Sequence, residues 1–312
     1  MIVNDYWIIG LFFLIGILII YCLCIVVSSP YIKKSSQKKR TIKSKKHEQQ
    51  LLLYQQINNN KKAVSILLCE KPLQKIQIDS TITNKQKYIA FCTCFYGTLE
   101  NPAMIIKSPP SSQYDCYYIT NNQDVLVRLQ KTSWIGIYDD VPISNDAITS
   151  SMQAKKLKAV PESFACLQKY EYICYLDSKL DIDESVVLES IQQHPDVALI
   201  IKQHDFIPHS VQTEFQISMN QIRYYRQHEQ YKKYIERQLK NGLKDVVEKH
   251  CETRLIIRKM HHPFTHSINV TWYQHIQECG IECQISFFFI QQLFANYIYI
   301  YPSNKVFVTQ NK

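Results

Sequence analysis

The apolar residues of this chain form one long run and a series of short ones. Residues 7–27 are 21 positions without a charge. As a helix they would span about 30 Å, the thickness of a hydrocarbon core. Past residue 87 the apolar runs shorten to strand length, at 88–95, 115–120, 134–138, 172–176, 197–202 and 254–258. Between them the apolar spacing lengthens to the helical period. Helices are predicted over 147–168 except near Pro161, over 184–193, at 269–279 and at 283–296. A long polar helix is predicted over 210–241, stopped by Asn241-Gly242, and a short one over 47–58. Strands alternating with helices predict an α/β domain with a largely parallel sheet. The chain thus divides into an N-terminal transmembrane anchor (1–30), a linker and stem (31–87) and one large domain (88–312).

Charge sharpens that division. Of the formal net charge of +9, residues 31–46 carry eight basic side chains and no acid, and residues 1–30 carry −1. The remaining 266 residues therefore hold only +2. A domain so near neutrality lacks the basic face that phosphate neutralisation on a duplex needs, so no nucleic acid partner is expected. The start of the chain is acidic and its apolar run long, unlike a cleaved signal peptide. The basic flank puts the large domain on the cytosolic side by the positive-inside rule. It also offers a contact for anionic lipid, beside the simpler reading as a solvated stop-transfer flank. Eleven cysteines without a regular framework fit a reducing compartment. Against this stands one glycosylation triplet, Asn269-Val270-Thr271.

Only six glycines occur, and none makes a G-x-G-x-x-G turn, a Walker loop or a G-x-S-x-G elbow. Dinucleotide-binding domains, P-loop NTPases and serine hydrolases of that type are excluded on this ground. Phosphate binding, if present, must use side chains. In open α/β sheets ligands bind beyond the carboxyl ends of the strands. Those ends carry Thr93, Tyr96 and Gly97; Thr120, Asn121 and Asn122; Asp177, Ser178 and Lys179; and Gln203, His204 and Asp205. Asp177 stands out, because a carboxylate at a strand end can hold a hard cation against a sugar diphosphate. Its alternative is a cap or turn acid, and capping is the favoured reading for Asp181 and Asp183. The histidines around His261, His262 and His266 match no standard zinc spacing. The Tyr, Lys and Arg residues of 223–234 read as a packed helix with a wet side rather than as a nucleic-acid stacking platform.

The order of these segments resembles the TOD/MUCI glycosyltransferase-like domain family, whose plant members are linked to cell-wall polysaccharides and whose relatives occur in microbes and viruses. YICYLDSKL (172–180) resembles its W-x-D-x-K-L core, and FCTCFYGTLENP (91–102) its opening strand and Y-G turn. Asp115 with Thr120-Asn121-Asn122, KKLKAVP (155–161), the strand leading to His204, Gly242-Leu243 with Leu255 to Arg258, and Trp272 followed by QISF (284–287) resemble later family segments. The resemblance covers most of 88–300. It implies a GT-A-like Rossmann-type fold flanked by helices, which the transmembrane helix read from residues 7–27 would precede. It also implies a nucleotide-sugar donor and a glycan or protein acceptor.

Residue by residue, it implies donor contacts at Thr93, Tyr96, Gly97, Asp115 and Lys155. Asp177, alone or with Mn2+ or Mg2+, and Lys179 would hold the diphosphate, and Arg258 would offset leaving-group charge. His204, Trp272 and Gln284 would shape the acceptor side. Two departures are visible. Cys283 stands where the family tends to have Asp, which leaves Glu282 as the candidate base and opens the alternative of an inactive, membrane-tethered binding module. The strand end is D-x-K and not D-x-D, so Lys179 can take over part of a cation's role. The family context makes a Golgi or other endomembrane lumen the alternative to the cytosol.

Overall fold

β-branched and aromatic runs become strands here because each can bury both faces between helices. The computed structural model describes residues 87–101, 104–205 and 209–302, all within the compact unit Ile78–Lys312. The expected anchor at 7–27, basic stretch at 31–46 and helix at 47–58 lie outside the described residues. Among the described residues no helix is long and apolar enough to cross a membrane.

The elements run β1 (Ile89–Phe95), β2 (Asp115–Thr120), α1 (Gln123–Leu129), β3 (Ile135–Tyr138), α2 (Ala147–Ala159), β4 (Tyr172–Leu176), α3 (Glu184–Gln193), β5 (Leu199–Gln203), α4 (Val211–Ser218), α5 (Ile222–Tyr225), α6 (His228–Lys240), β6 (Cys251–Lys259), α7 (Thr265–Cys279), α8 (Cys283–Leu293) and β7 (Ile298–Tyr301). Among the described residues seven strands form one sheet, in the order β3-β2-β1-β4-β6-β5-β7. Neighbours pair in parallel except β6, which is antiparallel to both β4 and β5. The expected α/β domain with a mostly parallel sheet is therefore the one observed.

Alternation along the strands builds a core on each face. Ile89 and Phe91 of β1 join Cys174 of β4 and Val187 and Ile191 of α3 on one side. Ala90, Cys92 and Cys94 join Ile173, Tyr175 and Leu157 of α2 on the other. α8 carries apolar residues on more than one face because it is sandwiched. Phe287 and Ile290 pack with β5, β6 and α7, while Ile285, Phe288 and Phe289 meet Tyr231, Tyr234 and Ile235 of α6.

Three local expectations change. The helix expected over 147–168 ends at Ala159, because a residue preceding proline disfavours the α region; two short 3-10 turns, Pro161–Ser163 and Ala165–Leu167, follow. The single polar helix expected over 210–241 is three helices. Asn220 and Gln221 turn the chain after α4, their amides bonding back to Ile217 and Ser218. The second break falls at Gln227, whose side chain accepts from the amide of Ile281 and the hydroxyl of Tyr231. α1 and β7 were not anticipated. Asn122, expected only to end a strand, caps α1 by accepting from the amides of Asp124 and Val125. Asp183 caps α3 through Ser185, as capping chemistry predicted, and Asp181 pairs with Lys107.

Candidate active site

β6 enters the sheet pointing backwards, so its amino end meets the carboxyl ends of β4 and β5. The amide of Asp177 donates to the Arg254 carbonyl there at 2.9 Å. Beyond this edge lies a cavity of about 540 Å³, lined from β1, α2, β4, α4, α5, β6 and the start of α8. α2 presents Ser151, Ala154, Lys155 and Lys158 to it, a spacing that keeps them on one helical face. Five cations (Lys155, Lys158, Lys179, Arg223, Arg254) and three acids (Asp177, Glu214, Glu282) line it.

Asp177 is the hub. Its Oδ1 accepts from Lys158 Nζ at 3.2 Å and from the Tyr175 hydroxyl at 2.9 Å. Burial works against its charge, but Lys158, Lys155 and Tyr175 together hold the carboxyl below its usual range. Lys158 is almost wholly buried, with a side chain 4% exposed. Burial disfavours its ammonium, and Asp177 more than restores it, leaving Lys158 above the ordinary lysine value. Lys155 reaches Cys283 Sγ at 3.3 Å, and Thr253 Oγ1 touches the same sulfur at 3.3 Å. Lys179 is exposed at the rim with no hydrogen-bond or ionic partner among the described residues.

The acids divide by environment. Glu282 caps α8, its Oε1 accepting from the Gln284 amide at 3.0 Å. Burial first, then the charge of Glu214, push it above the ordinary glutamate value against the pull of Lys155. Glu214 is held the other way. It accepts from Gln284 Nε2 at 3.0 Å and lies 2.8 Å from His250 Nε2. Burial opposes its charge, but His250 brings it below the ordinary value. His204 stacks on His250 with ring centroids 5.8 Å apart, and burial lowers its pKa. Gln284 thus bridges two carboxyls poised apart, a pattern that separates a proton-accepting group from a permanently charged one.

Because native Glu282 holds its proton more tightly than the unfolded chain does, its ionisation penalises the fold as pH rises past about 4.5. The Glu282→Gln variant lacks this penalty. Its unfolding free energy relative to wild type should therefore climb as pH rises past about 4.5 in urea titrations, on top of a constant cost of about 1 kcal/mol or less for a weaker cap. A pH-independent difference would show that the carboxyl is not desolvated.

Of the residues expected from sequence, the cavity brings together Tyr96, Lys155, Asp177, Lys179, His204, Glu282 and Gln284. Five others stand outside its lining. Thr93 is fully buried inside β1. Gly97 serves close packing. Its φ is +116°, a region that favours glycine, and a Cβ there would lie 2.9 Å from Ser150 Oγ. Its amide and carbonyl bond Asn121 and Asn122. Asp115 begins a parallel strand, so it sits at the amino edge of the sheet, bonded to Tyr170 and facing Lys169. Arg258 ends the reversed strand, so it too points away from the site edge. It is fully buried, donating to Asn269 Oδ1 at 2.9 Å and to the Lys158 carbonyl. Trp272 is core, packed on Phe287 with its indole N–H donating to Ser286 at 3.0 Å.

Lys158, Glu214, Thr253, Arg254 and Tyr224 were missed. Lys158 had a signal, since it follows Lys155 by three residues in KKLKAVP. Glu214 had none, because its partner His250 lies 36 residues away. The triplet at Asn269 also loses its meaning as a marker of membrane side. The Asn269 side chain is buried in α7 and donates to Glu162 at 2.8 Å, so it is not an accessible acceptor.

The side chains around Asp177 bear on the expected Mn2+ or Mg2+. One oxygen of Asp177 is already taken by Lys158 and Tyr175, and Lys155 adds a second positive charge nearby. Among the described residues no group of three His, Cys, Asp or Glu side chains is suited to a metal ion. The residues around Asp177 do not fit a divalent cation.

The class these observations define is an α/β domain with a mostly parallel sheet and a charged cavity at its carboxyl edge. No protein-family model matches the chain, and no curated protein matches it. Among solved structures it is similar to mouse xyloside xylosyltransferase 1 in its apo form, at 9% identity over 68% of this chain and 84% of that one, with a TM-score of 0.43. It is also similar to the apo structure of the bifunctional glycosyltransferase WbbM, at 9% identity over 70% of this chain and 39% of that one, with a TM-score of 0.38.

Proposed function

We propose that the protein is a membrane-anchored glycosyltransferase with a GT-A-like domain of the TOD/MUCI type, transferring a sugar from a nucleotide-sugar donor to a glycan or protein acceptor. One observation carries this reading: Asp177, at the carboxyl end of β4, shares a cavity with four lysine and arginine side chains besides its partner Lys158, and with the desolvated acid Glu282. A polyanionic donor is the ligand that such a surplus of cations suits. In the transfer, an acceptor hydroxyl attacks the anomeric carbon and its proton passes to the Glu282 carboxylate. The nucleoside diphosphate leaves with the electron pair of the broken C–O bond. A base with a raised pKa is better matched to neutral pH than an ordinary carboxylate.

His204 and Gln284 are assigned to the acceptor side. Residues 7–27 are the proposed anchor, with the domain cytosolic by its basic flank or, by family context, in an endomembrane lumen. Residues 31–46 are the proposed contact for anionic lipid.

The full chain in detergent is expected to hydrolyse at least one member of a nucleotide-sugar panel, and Asp177→Asn to slow this by roughly a hundredfold or more. No donor binding or hydrolysis by the wild type, or equal turnover by the variant, would defeat the proposal. Cys283 favours a second reading, a binding module that has lost turnover. Its thiol, set between Lys155 and Thr253, stands where the resemblance expects a carboxylate. Turnover gained by Cys283→Asp over an inert wild type would select that reading.

A further inference from the structure

We propose that this cavity neutralises the donor diphosphate with side-chain cations and works without a divalent metal ion, an inference that rests on the donor reading above. Each acid in the cavity is already engaged. Asp177 holds Lys158 and Tyr175. Glu214 accepts from Gln284 and Ser218 and faces His250. Glu282 caps α8 and accepts from the Tyr224 hydroxyl. A divalent ion on Asp177 would sit beside an ammonium 3.2 Å from the same carboxylate, and like charges at such separations repel strongly where water is scarce.

The cations tell the complementary story. Lys158 spends its charge on Asp177, and Arg254 on Glu252. Lys155, Lys179 and Arg223 have no acid paired to them among the described residues, yet all three line the cavity. Lys155 rises from α2, Lys179 from the β4 end and Arg223 from α5, so they approach from three sides. The chain has no glycine-rich loop to supply backbone N–H groups instead. Side-chain cations are thus the available counter-charge for a diphosphate. In this arrangement Lys158 is a positioning residue that fixes Asp177.

The test uses the full chain in detergent and isothermal titration with inorganic pyrophosphate, UDP and GDP, each in EDTA and in Mn2+. At least one probe is expected to bind in EDTA with a Kd within roughly threefold of that in Mn2+. Lys155→Met with Lys179→Met should weaken that binding by roughly tenfold or more, and Lys179→Glu alone, at an exposed position, should do so without altering the thermal midpoint. Binding that requires Mn2+, or binding in EDTA that survives both variants, would overturn the inference while leaving the donor reading intact. No binding of any probe in either buffer would remove the donor reading itself.

Discussion

Trp272→Ala is expected to cost about 3–5 kcal/mol of unfolding free energy, the range for an aromatic ring deleted from a core. The side chain has no exposed surface, meets Phe287 edge-on at 4.8 Å and lies 5.8 Å from the Arg258 guanidinium. Domains of this kind are stable by only about 5–15 kcal/mol, so much of the variant would unfold at physiological temperature. Trp272→Phe keeps most of the ring but loses the N–H bond to Ser286, and should cost about 1–2 kcal/mol. Urea unfolding checks both numbers. The Phe variant also decides between the two roles for this residue. If Trp272 shaped an acceptor site, Trp272→Phe would lose ligand affinity at nearly unchanged stability. From its place in the core, stability should fall and the KM for the acceptor should hold.

The Asp177 and Lys158 pair should give the second large effect, with binding and stability moving separately. Asp177→Asn leaves a buried ammonium without its counter-charge. For a fully buried pair such a loss costs about 3–5 kcal/mol. The Asp177 side chain is 35% exposed to the cavity, so about 2 kcal/mol is the expected figure after allowing for solvent. Lys158→Met should cost less, because the stranded carboxylate can still reach water. The double variant should recover at least about 1 kcal/mol relative to the sum of the singles. Nucleotide affinity should not recover with it. Strict additivity of the two singles in urea titrations would show that the pair is not coupled.

The strands were legible because buried parallel strands announce themselves as unbroken apolar runs: Tyr172–Leu176 and Asp115–Thr120 were read to the residue. Strand direction was not legible. Nothing in Arg254 to Arg258 says that β6 runs against its neighbours, and that reversal takes Arg258 away from the site and brings Thr253 and Arg254 to it. Asp115 was carried only by family resemblance, and as the first residue of a parallel strand it falls on the opposite edge. The site was half legible. Asp177, Lys179 and Glu282 follow strand ends or a helix start, where spacing is informative. Glu214 and His250 meet across the fold from segments whose local patterns say nothing of each other. The second break in the polar helix falls at Gln227, whose side chain accepts from the amide of Ile281, a partner 54 residues away.

The reversed strand also sets the order in which the sheet can be built. β1, β2, β3 and β4 precede β6 in the chain and can pair among themselves. β5 pairs only with β6 and β7, both of which come later. As the chain emerges during synthesis, β4 therefore presents a bare apolar edge, and β5 has no neighbour, until residues 251–259 arrive. Such an interval exposes backbone to pairing with other chains. β6 joins the two parts of the sheet, and the same insertion that brings Thr253 and Arg254 to the cavity covers the bare edge of β4 and one edge of β5, leaving the other edge of β5 for β7.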